Sequence, residues 1–223
     1  LAGGRPYLVM EYVPGEPITE YCDRQRLDIA ARLRLFQTVC EVVQFAHARL
    51  VIHRDLKPGN ILVMDAPEGA DDGQGPKDGQ GLRDVQNQAV VKLLDFGIAK
   101  LVVPEQIGVT GLETRTSARP MTPLFAAPEQ FAGEALTTAT DVYALGILLY
   151  LLLTGTPPYP PTGSAADYER RVRSGAPRRL PDCLSSEGEG PESAALRGLS
   201  FEQLRKQLRG DHVRIAAKAL HQD

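Results

Sequence analysis

A chain of 223 residues, 43% of them hydrophobic, has enough apolar content to bury one sizeable core, which excludes a disordered chain. Its 25 basic and 28 acidic residues leave a formal net charge of -3, so no general polyanion-binding surface is implied and a nucleic-acid partner has little support. Three cysteines, Cys22, Cys40 and Cys183, are odd in number and lack metal-ligand spacing; with no secretory signal visible, they read as reduced thiols of a cytosolic domain.

The chain opens on Leu1 rather than Met and runs at once into a strand-like segment, which suggests a piece of a longer protein. Pro6 to Val13 is β-rich and is stopped by Pro14-Gly15, so it predicts a strand leading into a turn. Between Ile29 and Leu50, Leu33, Phe36, Val39, Cys40, Val43 and Ala46 recur at helical spacing and predict a long amphipathic helix. His47, near its end, is expected to serve the last helical carbonyls. Val51-Ile52 then reads as a short strand.

Two short runs carry the chemistry: His53-Arg54-Asp55-Leu56-Lys57-Pro58-Gly59-Asn60 and Asp95-Phe96-Gly97. Transfer of a phosphoryl group needs an in-line acceptor, a base near its hydroxyl, and cations that neutralise the phosphate oxygens. Asp55 is placed to take a hydroxyl proton and Lys57 to sit on the transferring phosphate. Asn60 and Asp95 offer the hard oxygen ligands that magnesium prefers. Taken singly, each acidic residue would read as a solvated loop carboxylate; they gain meaning as a set.

Ile61-Leu62-Val63 and the run Val90 to Leu94 are expected to pair as a hairpin. The segment between them, Asp65 to Ala89, is rich in Gly, Asp, Gln and Pro and reads as a flexible insertion at the hairpin tip, where extra chain costs little. Further on, the segment from Ile98 to Met121 holds Thr110, Thr114, Thr116 and Ser117 with Arg115 and Arg119, and Ala127-Pro128-Glu129 follows. Val142 to Leu153 is the longest apolar stretch; a bilayer span needs about 20 residues, so it predicts a buried central helix. Gly155 to Pro161 stops it. An amphipathic helix is expected over Gly163 to Arg173 and a loop over Ala176 to Leu196. Ser200 is expected to cap a helix beginning at Phe201, and Asp211 another running through Ile215, Ala219 and Leu220.

With Ala127-Pro128-Glu129 following in the same order, the two runs resemble those of eukaryotic-like serine/threonine protein kinases. The flow of VMEYVPGEPITEYCDRQ, VKLLDFGIAK and DVYALGILLYLLLTGTPPY looks like bacterial members of that family. The resemblance implies an α+β, protein-kinase-like fold: a mainly helical C-terminal lobe with a hinge strand and a small catalytic hairpin, the N-terminal lobe mostly absent. Residues 1–223 would then be a partial kinase domain, with 65–89 inserted in it. It implies ATP and magnesium as cofactors and Ser/Thr hydroxyls of proteins as acceptors. Asp55 would be the base, with Lys57 and Thr122 beside it. Met10 would stand at the back of the adenine pocket, the backbone of Glu11 and Val13 would face the base's edge, and Leu62 would floor it. Lys57, Asn60 and Asp95 would serve the phosphates, the last two through the metal.

The same resemblance gives His53 a packing role and makes Asp141 an anchor that accepts backbone N–H groups of the catalytic loop. Ile98 to Met121 becomes the activation segment, with Arg54 gripping a phosphate on Thr114 or Thr116, Ser117 in reserve, and self-association serving autophosphorylation. The arginine that pairs with Glu129 in the family would fall after Asp223. The 223 residues hold no Gly-rich phosphate loop, no strand lysine and no helix glutamate to pair with it, so the chain alone is expected to lack appreciable activity. Two readings therefore stand: a Ser/Thr kinase represented by its large lobe, and a kinase-like binding module without activity. A small-molecule phosphotransferase is a weaker third. A cytoplasmic location is expected for the domain, with membrane anchoring of a longer parent left open.

Overall fold

The computed structural model describes residues 11–66, 81–84, 89–94, 123–160, 162, 164–174, 177–185 and 188–221. In chain order these form β1 (Glu16–Pro17), α1 (Ile18–Arg24), α2 (Ile29–His47), β2 (Ile61–Asp65), β3 (Gly81–Asp84) and β4 (Ala89–Leu93). They continue with α3 (Pro128–Ala132), α4 (Thr138–Thr154), α5 (Ala165–Arg173), α6 (Gly190–Ala195), α7 (Phe201–Gln207) and α8 (Asp211–Ala219).

The apolar run of Val142 to Leu153 lies in α4, the helix the other elements pack around. A helix apolar on nearly all sides must be covered on nearly all sides, and of this run only Val142 is exposed. Tyr143, Ile147, Leu149, Tyr150 and Leu153 join a cluster with Tyr159, Tyr168, Leu180, Leu204 and Leu220, while Ala144, Leu145, Leu148 and Leu152 join one with Leu35, Val39, Ile61 and Val91. Each buried leucine contributes about 1.5–3 kcal/mol. Gly146 is required where α8 crosses: a Cβ there would lie 2.9 Å from the Ala219 Cβ. Thr137 caps the helix start by accepting from Ala139 N–H, and Gly155, at φ 76°, ends it by donating to Leu151 O at 2.8 Å. No helix among the described residues is long and apolar enough to cross a membrane.

Two arginines, Arg32 in α2 and Arg197 in the turn after α6, serve the C-terminal carbonyls of α4. Arg32 and Arg197 are each 1% exposed. Arg197 donates to Leu151 O and Leu152 O and to Ser193, and Arg32 donates to Leu152 O, Leu27 O, Cys22 O and Leu196 O while pairing with Asp23 at 2.8 Å. The negative end of the α4 dipole favours such cations. Burial, with the Arg32 charge adding, lowers the Arg197 pKa to about 10.

The expected hairpin is present: β2 and β4 pair antiparallel, with Ile61 opposite Leu93, Leu62 opposite Lys92 and Val63 opposite Val91. Residues directly opposite share a face. Ile61, Val63, Val91 and Leu93 face the core; Leu62 and Lys92 occupy the other face. The sheet has the order β1-β2-β4-β3, and two of its strands were not foreseen. β1 is two residues long and contains a proline, too short for an alternation to register. The stretch 65–89, read as lacking structure of its own, contributes β3, whose backbone completes the open edge of β4 and lies against α2.

Other expectations need correction. Val51-Ile52 forms no strand; both residues are irregular chain beyond the end of α2. The stretch 176–196 holds a 3-10 turn at Leu180–Cys183 and the short helix α6, because Pro181 and Pro191 sit at helix starts, where a missing N–H costs nothing. Gly210, not Asp211, is the cap residue of α8, and Asp211 lies in its first turn. Ser200 does cap α7, in a reciprocal box with Gln203. The cysteines are free; burial raises Cys22 to about 12 and Cys40 and Cys183 to about 11, which leaves them poor nucleophiles.

Candidate active site

The loop from His53 to Asn60 alternates anchors with presented groups. His53 is 1% exposed, Leu56 3% and Asn60 8%, whereas the Asp55 and Lys57 side chains are 37% and 28% exposed. Leu56 plugs into the α2–β2–β4 core between the two charged residues. The result fixes the main chain and leaves the Asp55 carboxylate and the Lys57 ammonium facing outward.

These functional groups lie together. Lys57 Nζ is 3.0 Å from Asp55 Oδ2. Asn60 Nδ2 donates to Asp55 O at 2.7 Å and to Asp55 Oδ2 at 3.2 Å. A 3-10 turn over Pro58–Asn60 makes this fold-back possible, with Asn60 N–H donating to Lys57 O at 2.9 Å. The amide nitrogen is committed to Asp55, and Asn60 Oδ1 is the atom of the amide that can serve a cation. Leu94 N–H donates to Asn60 O at 2.8 Å, so the residue just before Asp95 is tied to the loop. An amide oxygen is a donor of the hard type that a divalent cation such as magnesium takes.

The loop is held from below by α4. The Asp141 carboxylate, 1% exposed, accepts His53 N–H on Oδ2 and Arg54 N–H on Oδ1, both at 2.8 Å. His47 Nε2 also lies 2.7 Å from Asp141 Oδ2; its partner is thus this carboxylate, and not the helical carbonyls expected from its place in sequence. Only the tertiary approach of α2 to α4 creates that contact. His53 Nε2 donates to Leu94 O at 2.9 Å, which gives the imidazole the packing and bonding role expected of it. Burial lowers the His53 pKa, outweighing the pull of Asp141.

A further support comes from α3. Gln130 Oε1 accepts from Ala127 N–H at 2.9 Å and its Nε2 donates to Arg54 O at 3.0 Å, joining the Ala127-Pro128-Glu129 motif to the His53–Asn60 loop. Sequence reasoning missed Gln130, since a glutamine after that motif carries no signal of its own. Glu129 accepts the Thr140 hydroxyl at the start of α4.

At the other end of the site, Val13 O accepts from Gly15 N–H at 2.9 Å, closing the turn expected at Pro14-Gly15. Gly15 packs against β2 so closely that a Cβ would lie 3.1 Å from both Leu62 Cβ and Val63 O. Glu11 is exposed and its carboxylate meets Lys92 Nζ at 2.8 Å. Leu62 stands on the sheet face away from the core, half-buried. Met10, Asp95 and Thr122, with Thr114 and Thr116, lie outside the described residues.

Residues 3–195 match the family described as the protein kinase domain. The chain is 36% identical over 162 residues to serine/threonine-protein kinase Pkn1 of Myxococcus xanthus, covering 73% of this chain and 20% of that protein. It is 32% identical over 168 residues to serine/threonine-protein kinase A of Synechocystis, covering 72% and 28%. Against serine/threonine-protein kinase PknA of Mycobacterium tuberculosis it is 33% identical over 181 residues, covering 81% and 36%. The chain thus spans between a fifth and about a third of the length of these relatives.

Proposed function

Because the chain belongs to the protein kinase family, we propose that it carries the phosphoryl-transfer centre of an ATP-dependent serine/threonine kinase acting on protein substrates. The observation that carries this reading is the clustering of Asp55, Lys57 and Asn60 within hydrogen-bond distance of one another on a main chain fixed by Asp141. In that reaction the acceptor oxygen bonds to the γ-phosphorus, the bond to ADP breaks, and the hydroxyl proton goes to Asp55. Lys57, beside the base, offsets charge on the transferring group and holds the Asp55 carboxylate in place.

Asn60 and Asp95 are the residues that would hold magnesium; when bound, such an ion neutralises the phosphate oxygens. The backbone of Glu11 and Val13 presents the adenine edge; since Gly15 engages the Val13 carbonyl, the Val13 N–H is the group left for the base. Leu62 supplies the apolar floor and Met10 the back wall. Thr122 stands in sequence where the family carries a threonine that touches the catalytic aspartate and lysine, which favours Ser/Thr acceptors over Tyr. This centre belongs to a large lobe that works with a small lobe bearing a Gly-rich loop and a lysine, neither of which occurs within the 223 residues.

The test is transfer of labelled phosphate from ATP to a mixed protein substrate by the full-length protein, followed by phosphoamino-acid analysis. Label on Ser or Thr, dependent on a divalent cation, is the expected result. ATP binding without transfer would favour the alternative of a kinase-like binding module.

A further inference from the structure

We propose that Lys92 is a positioning residue for the nucleotide, acting through Glu11 to fix the hinge segment across the β2–β4 hairpin; the proposal rests on the kinase reading above. Lys92 sits directly opposite Leu62 in the antiparallel pair, so the two side chains share one face of the hairpin. The flanking residues Val91 and Leu93 are 0% and 2% exposed in the core on the other face. Lys92 is therefore the charged neighbour of the apolar floor, on the side where the base stacks. Its side chain is 16% exposed, and an ammonium so covered needs a compensating partner. Glu11 Oε1, at 2.8 Å, provides one.

The hinge is consequently tied to the hairpin at two places. At its far end Glu16 and Pro17 pair with Val63 and Leu62, and Gly15 rests against the same two residues. At its near end the tie is the Glu11–Lys92 ion pair. Residues 12–14 bridge the two fixed points, and Val13 lies among them. A Glu11 that swings free of Lys92 carries its own main chain with it and loosens the register of Val13 against a purine edge. The ion pair costs Glu11 little to form, because that side chain is 65% exposed, and it is correspondingly sensitive to salt.

The experiment uses the full-length protein and three variants: Lys92→Met, Glu11→Gln, and the exchange Glu11→Lys with Lys92→Glu. ADP affinity, the KM for ATP and kcat are measured at low and at high ionic strength. An ion pair with one exposed partner supports a change of about two- to fivefold. Each single variant is expected to weaken ADP binding and raise the KM for ATP by that factor at low salt, with kcat moving less. The exchange is expected to recover most of the loss, and high salt to bring wild type toward the variants. Nucleotide affinities of Lys92→Met and Glu11→Gln indistinguishable from wild type would overturn the proposal, as would an exchanged pair no better than the worse single variant. Glu11→Gln alters an exposed side chain and keeps the proposal testable even where Lys92→Met folds poorly. A wild-type protein that binds no ATP overturns the kinase reading and takes this inference with it; transfer by wild type with unmoved variants overturns this inference alone.

Discussion

Asp141 holds Arg54 in a left-handed backbone conformation, φ 67°, by accepting its N–H at 2.8 Å on Oδ1. For a residue with a Cβ this geometry costs about 1–3 kcal/mol and persists only where the surroundings over-determine it. Here they do: Gln130 secures the Arg54 carbonyl from the other side, and Oδ2 of the same carboxylate fixes the His53 N–H. Hydrogen bonds to a charged acceptor contribute about 1.5–3 kcal/mol each, enough to offset the strain. The twist turns the chain so that Asp55, the next residue, faces outward beside Lys57.

Asp141→Asn keeps the shape but sets an amide N–H₂ against one of the two main-chain donors. Loss of a buried charged partner predicts destabilisation of about 3 kcal/mol, read by urea unfolding. A variant as stable as wild type would show that the carboxylate is not the anchor of the loop.

Buried His53 and half-buried His212 give stability a defined pH dependence. Burial lowers the pKa of His53 and of His212 below the ordinary 6.5. The unfolded chain then binds more protons than the folded one below that value, so stability present above about pH 6.5 is lost as pH falls through the folded pKa values. His53→Gln, which retains a donor for Leu94 O, is expected to flatten the acid side of an unfolding free-energy profile taken between about pH 5 and pH 8. Identical profiles for wild type and variant would remove His53 from this account.

Arg197→Met leaves the Leu151 carbonyl and Ser193 without their buried donor and the Leu152 carbonyl with only the longer bond from Arg32, at 3.5 Å. The expected loss is about 3–5 kcal/mol in chemical denaturation, the scale for removing one member of a buried charged network. A loss under about 1 kcal/mol would mean that water replaces the guanidinium without penalty.

What could be read in the sequence and what could not follow a physical division. Local periodicity placed α2, the longest apolar stretch placed α4, and composition placed the hairpin of Ile61–Val63 with Val90–Leu94. The fixed spacing of Asp55, Lys57 and Asn60 was legible because their mutual contacts are made within one loop. Asp141 was legible only through the family resemblance, since the bonds to His53 and Arg54 span 88 and 87 residues. Arg32, Arg197, Gln130 and the His47 contact gave no signal. A charged or amide side chain reads as surface until the fold supplies carbonyls or a carboxylate for it.

Arg54 itself points to switching. Its Nε is buried without a hydrogen-bond partner among the described residues, a cost that a phosphate would relieve. A phosphate on Thr114 or Thr116 brings about -1.5 to -2 charge and acceptors that a guanidinium grips bidentately. Mass spectrometry of the active full-length protein is expected to find phosphate there and not in the Asp55→Asn form, as self-phosphorylation requires. An active protein with an unmodified segment, or a Thr114→Ala, Thr116→Ala double variant with full activity, would contradict this.

The central claim is that Asp55 receives the acceptor's proton while other groups hold the nucleotide. Its most direct test compares full-length wild type with Asp55→Asn in two measurements on the same preparation, ATP affinity and the rate of phosphate transfer to a Ser/Thr substrate. The account predicts ATP affinity close to wild type together with a fall in transfer rate of about 10²- to 10⁴-fold, the contribution of a positioned general base. Near-normal turnover by Asp55→Asn would contradict it.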